Sequence, residues 1–279
     1  MSNHGLYRLY ASLHNTPHLI TPESFNVVLD YFELRSSEGF KLMAVSDVEA
    51  RPVGESRGSL GVLRVDGSLT YKPVMTMCGA AGCSYSDLVS QVEEMAEAGV
   101  KTIVMEVTSG GGEASHVFEA ADDIRAICDE AGIKLIGYAD TMAASAAYAL
   151  IAVCDEVIAN PSACLGSIGC VVALLDTSKA MEQAGLKRIF VTSGESKVPF
   201  ADDGSFKKEF LDEIQADVNR LNVEFAAHVS KHTGVPMETI MGFQAKVFDA
   251  NEAVSLGLAN TVMSNKQFAK YVASLHLGN

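Results

Sequence analysis

The chain has 279 residues, 48% of them hydrophobic and 20% charged, a balance that suits a globular protein and excludes a disordered one. Its 21 Lys and Arg stand against 35 Asp and Glu, a formal net charge of −14. That excludes a broad phosphate-binding surface, because nucleic-acid contacts need positive charge.

At roughly 150 residues per domain, the length holds one large domain or two small ones. The sequence has no Trp, and only 7% of it is aromatic, so stacking platforms for bases or sugars are not expected. The longest apolar stretch, Met142 to Cys154, is 13 residues and falls short of the roughly 18 a membrane span needs. Met1 to Tyr10 shows no apolar core behind a basic start, so no signal peptide is expected. The six cysteines, Cys78, Cys83, Cys128, Cys154, Cys164 and Cys170, form no CxxC pair and have no His close by. They are expected to be reduced, mostly buried thiols of a cytoplasmic protein, with no metal and no cofactor.

In chain order, Thr21-Pro22-Glu23 reads as a helix start, with Thr as cap and Pro in the first turn, and Phe25, Val28, Leu29 and Phe32 follow at helical spacing. Ser36 to Ser56 is polar and reads as a linker. Gly61 to Val65 reads as a strand, Tyr71 to Ser84 as a loop, and Asp87 to Ala98 as a helix closed by Gly99. Thr102 to Val107 reads as a strand broken by Ser109-Gly110-Gly111-Gly112. Ala114 to Glu130 follows as a helix ended by Gly132, then Lys134 to Tyr138 as a strand and Met142 to Val153 as an apolar helix. Glu156 to Ala159 and Ser167 to Leu174 read as strands, Thr177 to Ala184 as a helix, and Arg188 to Val191 as a strand. Phe206, Phe210, Ile214, Val218, Leu221, Phe225 and Val229 mark one face of a long helix, about Phe206 to Lys231. Lys246 to Phe248 reads as a short strand, with helices at Asp249 to Leu256 and Lys266 to Leu275. Strands alternating with helices predict an α/β architecture with largely parallel pairing.

Three segments offer chemistry. Ser109-Gly110-Gly111-Gly112 lies between a strand and a helix, where backbone N–H groups can hold an anion or a developing oxyanion; a plain tight turn would look the same. No Lys-Ser/Thr follows, so it is not a P-loop. Met142 to Tyr148 places Ser145 at a helix start among small residues, but taken alone the segment reads better as a buried Ala-rich core helix with a satisfied hydroxyl. Ser193-Gly194-Glu195-Ser196-Lys197 is a loop whose lysine is ordinarily a solvated charge and becomes a base only if burial lowers its pKa. Of the seven histidines, only His116 lies near enough in sequence to suggest a Ser–His arrangement, whereas a Ser–Lys pair needs only Lys197.

The glycine turn, the Ala-Ala-Ser segment, Leu165-Gly166-Ser167-Ile168-Gly169 and the Ser-Gly-x-x-Lys loop occur in that order. Together, from about Gly58 to Val262, they resemble the signal peptide peptidase family of serine peptidases, S49. The resemblance implies a crotonase/ClpP-like α/β fold with repeated ββα units. It implies Ser145 as nucleophile and Lys197, 52 residues later, as general base. Ser167 would orient the lysine amine, and the N–H groups of Gly111, Gly112 and Ala146 would form the oxyanion hole. Two departures stand out: Gly110 occupies the place of the family's usual Pro, and Ala146 and Ala147 stand where Gly is frequent.

Asn15 to His18, Ser193 to Val198 and Val229 to Gly234 resemble the head-maturation (prohead) proteases of tailed phages. That branch implies scaffold and capsid proteins as substrates, a homo-oligomer, no membrane or nucleic-acid partner, and a place inside the prohead in the host cytoplasm. A scaffold is then expected as a separate protein. The expected organisation is an arm at 1–57 and a peptidase domain at 58–279. Other readings are a general cytoplasmic S49 peptidase, an acyl-CoA hydratase or isomerase on the same fold, and a non-catalytic assembly protein.

Overall fold

A computed structural model describes residues 17–22, 24, 53–73, 75–76, 79–80, 82–187, 189–194, 197–201 and 203–276. Strand β1 (His18–Ile20) comes first, and Pro22 and Ser24 after it are helical. The rest of the helix expected there, Phe25 to Phe32, lies outside the described residues, as does most of the linker. The end of the expected linker is a strand, β2 (Gly54–Arg57), which pairs antiparallel with β3 (Leu60–Asp66). The boundary expected at 57/58 therefore falls between two paired strands.

Strand β4 (Leu69–Thr70) comes just before the segment expected as one loop, which itself contains β5 (Met75–Thr76), β6 (Gly79–Ala80) and β7 (Cys83–Ser84). Helix α1 (Tyr85–Glu97) starts two residues earlier than its apolar spacing suggests, because the Ser84 side chain accepts the Asp87 N–H and caps it. Next come β8 (Thr102–Ser109), β9 (Gly111–Glu113) and α2 (Val117–Ala131), which ends at Gly132 with φ 64°. Then follow β10 (Lys134–Ala144), α3 (Ala146–Ile151), β11 (Glu156–Ala159), β12 (Cys164–Gly166) and α4 (Ser178–Gln183). The chain continues through α5 (Lys208–Thr233), α6 (Met237–Gly242), β13 (Val247–Asp249), α7 (Ala250–Ser255), β14 (Thr261–Val262) and α8 (Asn265–His276).

The strands make an eight-stranded sheet with main order β13-β12-β10-β8-β3-β2, to which β11 and β14 add beside β10. Its inner pairs are parallel, as the alternation of strands and helices predicts. A second sheet runs β1-β9-β4-β7. The fold is α/β.

On β3 every second residue turns inward, Leu63 and Val65 to full burial, and α1 and α2 cover that face with Leu88, Val92, Ile124 and Cys128. On the opposite face α8 lays Phe268 flat on Tyr138, with ring centroids 3.9 Å apart. A cavity of about 1110 Å³ opens beside that stack, lined by Arg64, Glu106 and Asp140 among others; none of the six expected site residues borders it.

Three sequence expectations need correction. Met142 to Ala144 is not helix: it continues β10, held by Ala143 opposite Ser109 and Ala144 opposite Gly166. The strand expected at Ser167 to Leu174 lies earlier, at β12, and only Val171 pairs, in an isolated bridge to His18. Ile189 to Val191 forms no strand and is exposed, while Arg188 lies outside the described residues.

Candidate active site

Strand β10 delivers the chain to Ser145 and α3 carries it away, so this residue is the corner between them. Its backbone sits at φ 57°, ψ −122°, a left-handed conformation that costs a non-glycine residue about 1–3 kcal/mol. The corner is pinned on both sides. Ser145 N–H donates to the Gly166 carbonyl at 2.8 Å, and the Ser145 carbonyl accepts from Tyr148 N–H at 2.8 Å and Ala149 N–H at 3.1 Å. Ala143, Ala144, Ala146 and Ala147 around it are fully buried, and their small side chains let the strands close in. The Ser145 side chain is itself 0% exposed, and its Oγ has no hydrogen-bond partner among the described residues. An orphaned buried hydroxyl costs about 1–3 kcal/mol. Strain and an unsatisfied group on one residue mark a functional position better than either alone.

The glycine segment lies against this corner. Gly111 adopts φ 101°, and a methyl group there would meet the Leu19 carbonyl oxygen at 2.1 Å and Ser145 Cβ at 3.0 Å. At Gly112 a methyl would meet the Leu69 carbonyl oxygen at 2.0 Å. Both positions admit only glycine. The segment is more than a break: Gly111 to Glu113 forms β9, between β1 and β4. Ser109 Oγ donates to the Gly67 carbonyl at 2.5 Å and accepts the Gly111 N–H at 3.1 Å. The Gly111 donor is thus engaged by Ser109. Ala146 opens α3, where a helix leaves its first N–H groups without intrahelical partners.

Ser167 is buried with φ 54°, its N–H donating to the Lys246 carbonyl at 3.0 Å. Lys197 is exposed; its N–H closes a turn onto the Gly194 carbonyl at 3.3 Å, and no hydrogen bond joins it to Ser145. The structure therefore brings Ser145, Gly111, Ala146 and Gly166 together, while Lys197 is exposed and makes no hydrogen bond to Ser145. His116 is also apart: exposed at the start of α2, it stacks on Tyr71 with centroids 3.9 Å apart.

One residue behind the site escaped the sequence reading. His228, buried on α5, donates from Nε2 to the Ala149 carbonyl at 2.9 Å and so props the helix that begins at Ser145. Burial holds its pKa below the ordinary histidine value, against the opposing pull of that bond. His232 packs beside it, with centroids 4.7 Å apart, and lies 3.1 Å from Asp122 Oδ1, which also accepts from Lys231 Nζ at 2.7 Å. Burial also lowers the His232 pKa. At Asp122 burial works toward a higher pKa, but the Lys231 and His232 hydrogen bonds outweigh it and hold the carboxyl below its usual range. Asp122, His228 and His232 stand close enough to ligate an ion, and the Lys231 ammonium already neutralises the carboxylate. The signal in the sequence was the i, i+4 spacing of the two histidines on one helix face.

The profile of peptidase family S49 matches residues 128–276, from the last turn of α2 to the end of α8. The chain belongs to peptidase family S49. Among curated relatives, the head-tail preconnector protein GP5 of Enterobacteria phage P21 is 24% identical over 208 residues, covering 74% of this chain and 41% of that protein. The capsid assembly protease C of Escherichia phage lambda is likewise 24% identical over 208 residues, covering 74% of this chain and 47% of that protein. The chain spans less than half the length of these two relatives. The S49 match includes Ser145, Ser167 and Lys197, while the glycine strand precedes it. Among the described residues of this S49 member, no helix is long and apolar enough to cross a membrane.

Proposed function

We propose that this S49 member is a serine endopeptidase with Ser145 as nucleophile and Lys197 as general base, built on a crotonase/ClpP-like core. The observation that carries the reading is Ser145: a strained, pinned corner residue whose hydroxyl is buried and unpaired. In the reaction Lys197, uncharged, takes the Ser145 proton as Oγ attacks a peptide carbonyl. The N–H groups of Ala146 and Gly112 hold the oxyanion, with Gly111 joining if it releases Ser109. Lys197 returns the proton to the leaving amine, and water then hydrolyses the acyl-enzyme. Ser167 orients the lysine amine. Because Lys197 is exposed and not hydrogen-bonded to Ser145 in this structure, its amine must approach Ser145 Oγ for the dyad to form.

The phage relatives support scaffold and capsid proteins as substrates and the prohead as the place of action. Exposed Leu186, Ile189 and Val191 support a homo-oligomer. The exposed lysine also favours a second reading, a non-catalytic assembly protein, against which the cost stored at Ser145 weighs. The test is to incubate the chain and its Ser145→Ala variant with the scaffold and capsid proteins of the same phage and to map the fragments by mass spectrometry. Cleavage by the wild type alone supports a peptidase; identical fragments, or none, contradict it.

A further inference from the structure

An enzyme whose nucleophile is sealed from solvent must move something to meet a substrate, and the geometry around Ser145 identifies what. Strand β1 runs antiparallel to the glycine strand in the register His18–Glu113, Leu19–Gly112 and Ile20–Gly111. Along its other edge His18 exchanges both backbone bonds with Val171, N–H to carbonyl at 2.8 Å and carbonyl from N–H at 2.9 Å. Pro17 O accepts from Ala114 N–H at 3.3 Å, and Thr21 N–H donates to Gly110 O at 2.9 Å. Residues 17–21 thus lie as an extended peptide between two backbone edges. Midway along them the Leu19 carbonyl, Gly111 and Ser145 Cβ converge. Adding a strand between open edges is how a protein holds an extended peptide largely irrespective of its sequence, with alternate side chains read by pockets.

We propose that residues 17–21 occupy the substrate groove, in the place of an extended substrate peptide, and that cleavage requires them to leave. The proposal rests on the peptidase reading and adds how its site is blocked and what it accepts. Leu19 is fully buried within the main core cluster. The peptide that replaces β1 must therefore present an apolar side chain of about leucine size at that register, with backbone groups free to bond Gly112 and Val171. Once β1 is displaced, Ser145 Oγ faces the incoming peptide.

The test loosens the strand in the full chain. Leu19→Gly with Ile20→Gly weakens β1, and a fluorescent peptide of the sequence Thr-Pro-His-Leu-Ile-Thr serves as the probe, all on a Ser145→Ala background so that nothing is cleaved. The expected result is at least tenfold tighter probe binding to the loosened chain than to the chain with intact β1, together with loss of binding when the probe leucine becomes Asp. A folded loosened chain that binds the probe no better overturns the proposal.

Should that chain fail to fold, the strand is locked instead. His18→Cys and Val171→Cys, with Cys170→Ala, are oxidised to a cross-strand disulfide. The locked form is expected to lose at least tenfold in scaffold cleavage and to regain it on reduction; equal cleavage in both forms overturns the proposal. If no form with Ser145 cleaves any substrate, the peptidase reading falls, and probe binding still decides whether residues 17–21 fill a peptide groove.

Discussion

Ser145 is tied to Gly166 by a 2.8 Å backbone hydrogen bond, which fixes the strained corner to the end of β12. Gly166 itself holds φ 115°, and a methyl there would meet the Lys246 carbonyl oxygen at 2.8 Å. Gly166→Ala is expected to destabilise by about 1–3 kcal/mol from backbone strain alone. It should also slow cleavage, because the tether to Ser145 shifts. Denaturant unfolding reads the first effect and scaffold cleavage the second; wild-type values for both contradict the account of the corner.

Removing the orphaned hydroxyl should separate stability from activity. Ser145→Ala deletes a buried polar atom that has no partner among the described residues, so its stability is expected to equal the wild type or exceed it by about 1–2 kcal/mol. Chemical denaturation of the two forms checks this. A loss of 2 kcal/mol or so would mean that the hydroxyl has a partner in solution, and the argument from its isolation would fail.

Stability should depend on pH through α5. His228 and His232 both have folded pKa values below the ordinary histidine value, burial being the first cause. The unfolded chain then binds more protons below about pH 6.5. Stability is therefore complete above that pH and falls as the pH drops toward the folded values, by at most about 1.4 kcal/mol per pH unit for each histidine. The charged groups acting on them are Asp122 and Lys231, with Arg125 also acting on His232. Unfolding midpoints at pH 7.5 and 5.5 should differ in the wild type and differ less in His228→Asn; an equal drop in both would assign the dependence elsewhere.

The thiols should resist alkylation while the protein is folded. Burial pushes Cys83 up to about 12 and Cys128 and Cys170 each to about 11. At pH 8 a thiol near 11 is ionised about one part in a thousand, and the thiolate is the reactive form. Iodoacetamide should modify these three at least tenfold faster in denaturant than in the native state, read by peptide mapping. Equal rates would place them at the surface.

Much of the fold was legible because its strands and helices carry their own periods. Glu156 to Ala159 and Thr102 onward are apolar runs between helices with buried stripes, and Gly132 marks a helix end by the conformation only glycine takes cheaply. What misled the reading was alanine. Met142 to Ala144 has the composition of a helix, yet pairing with Ser109 and Gly166 makes it strand, a tertiary choice that overrides propensity.

The candidate site divides the same way. Ser145 and the glycines were weak motifs singly and took their roles from the family resemblance, and the structure sets Gly111 against Ser145. Two facts were invisible in one dimension: the pairing of His18 to Ile20 with the glycine strand, across about ninety residues of chain, and the propping of α3 by His228.

The central claim is that Ser145 and Lys197 act as one unit, although no hydrogen bond joins them in the structure. The most direct measurement is kcat/KM on a scaffold-derived peptide for the wild type, Ser145→Ala, Lys197→Met and the double variant. Each single change is expected to cost about a thousandfold or more, and the double variant about as much as either single one, because residues that act together are not additive. A Lys197→Met protein that keeps its rate, or a double variant whose loss is the product of the two singles, would contradict the account.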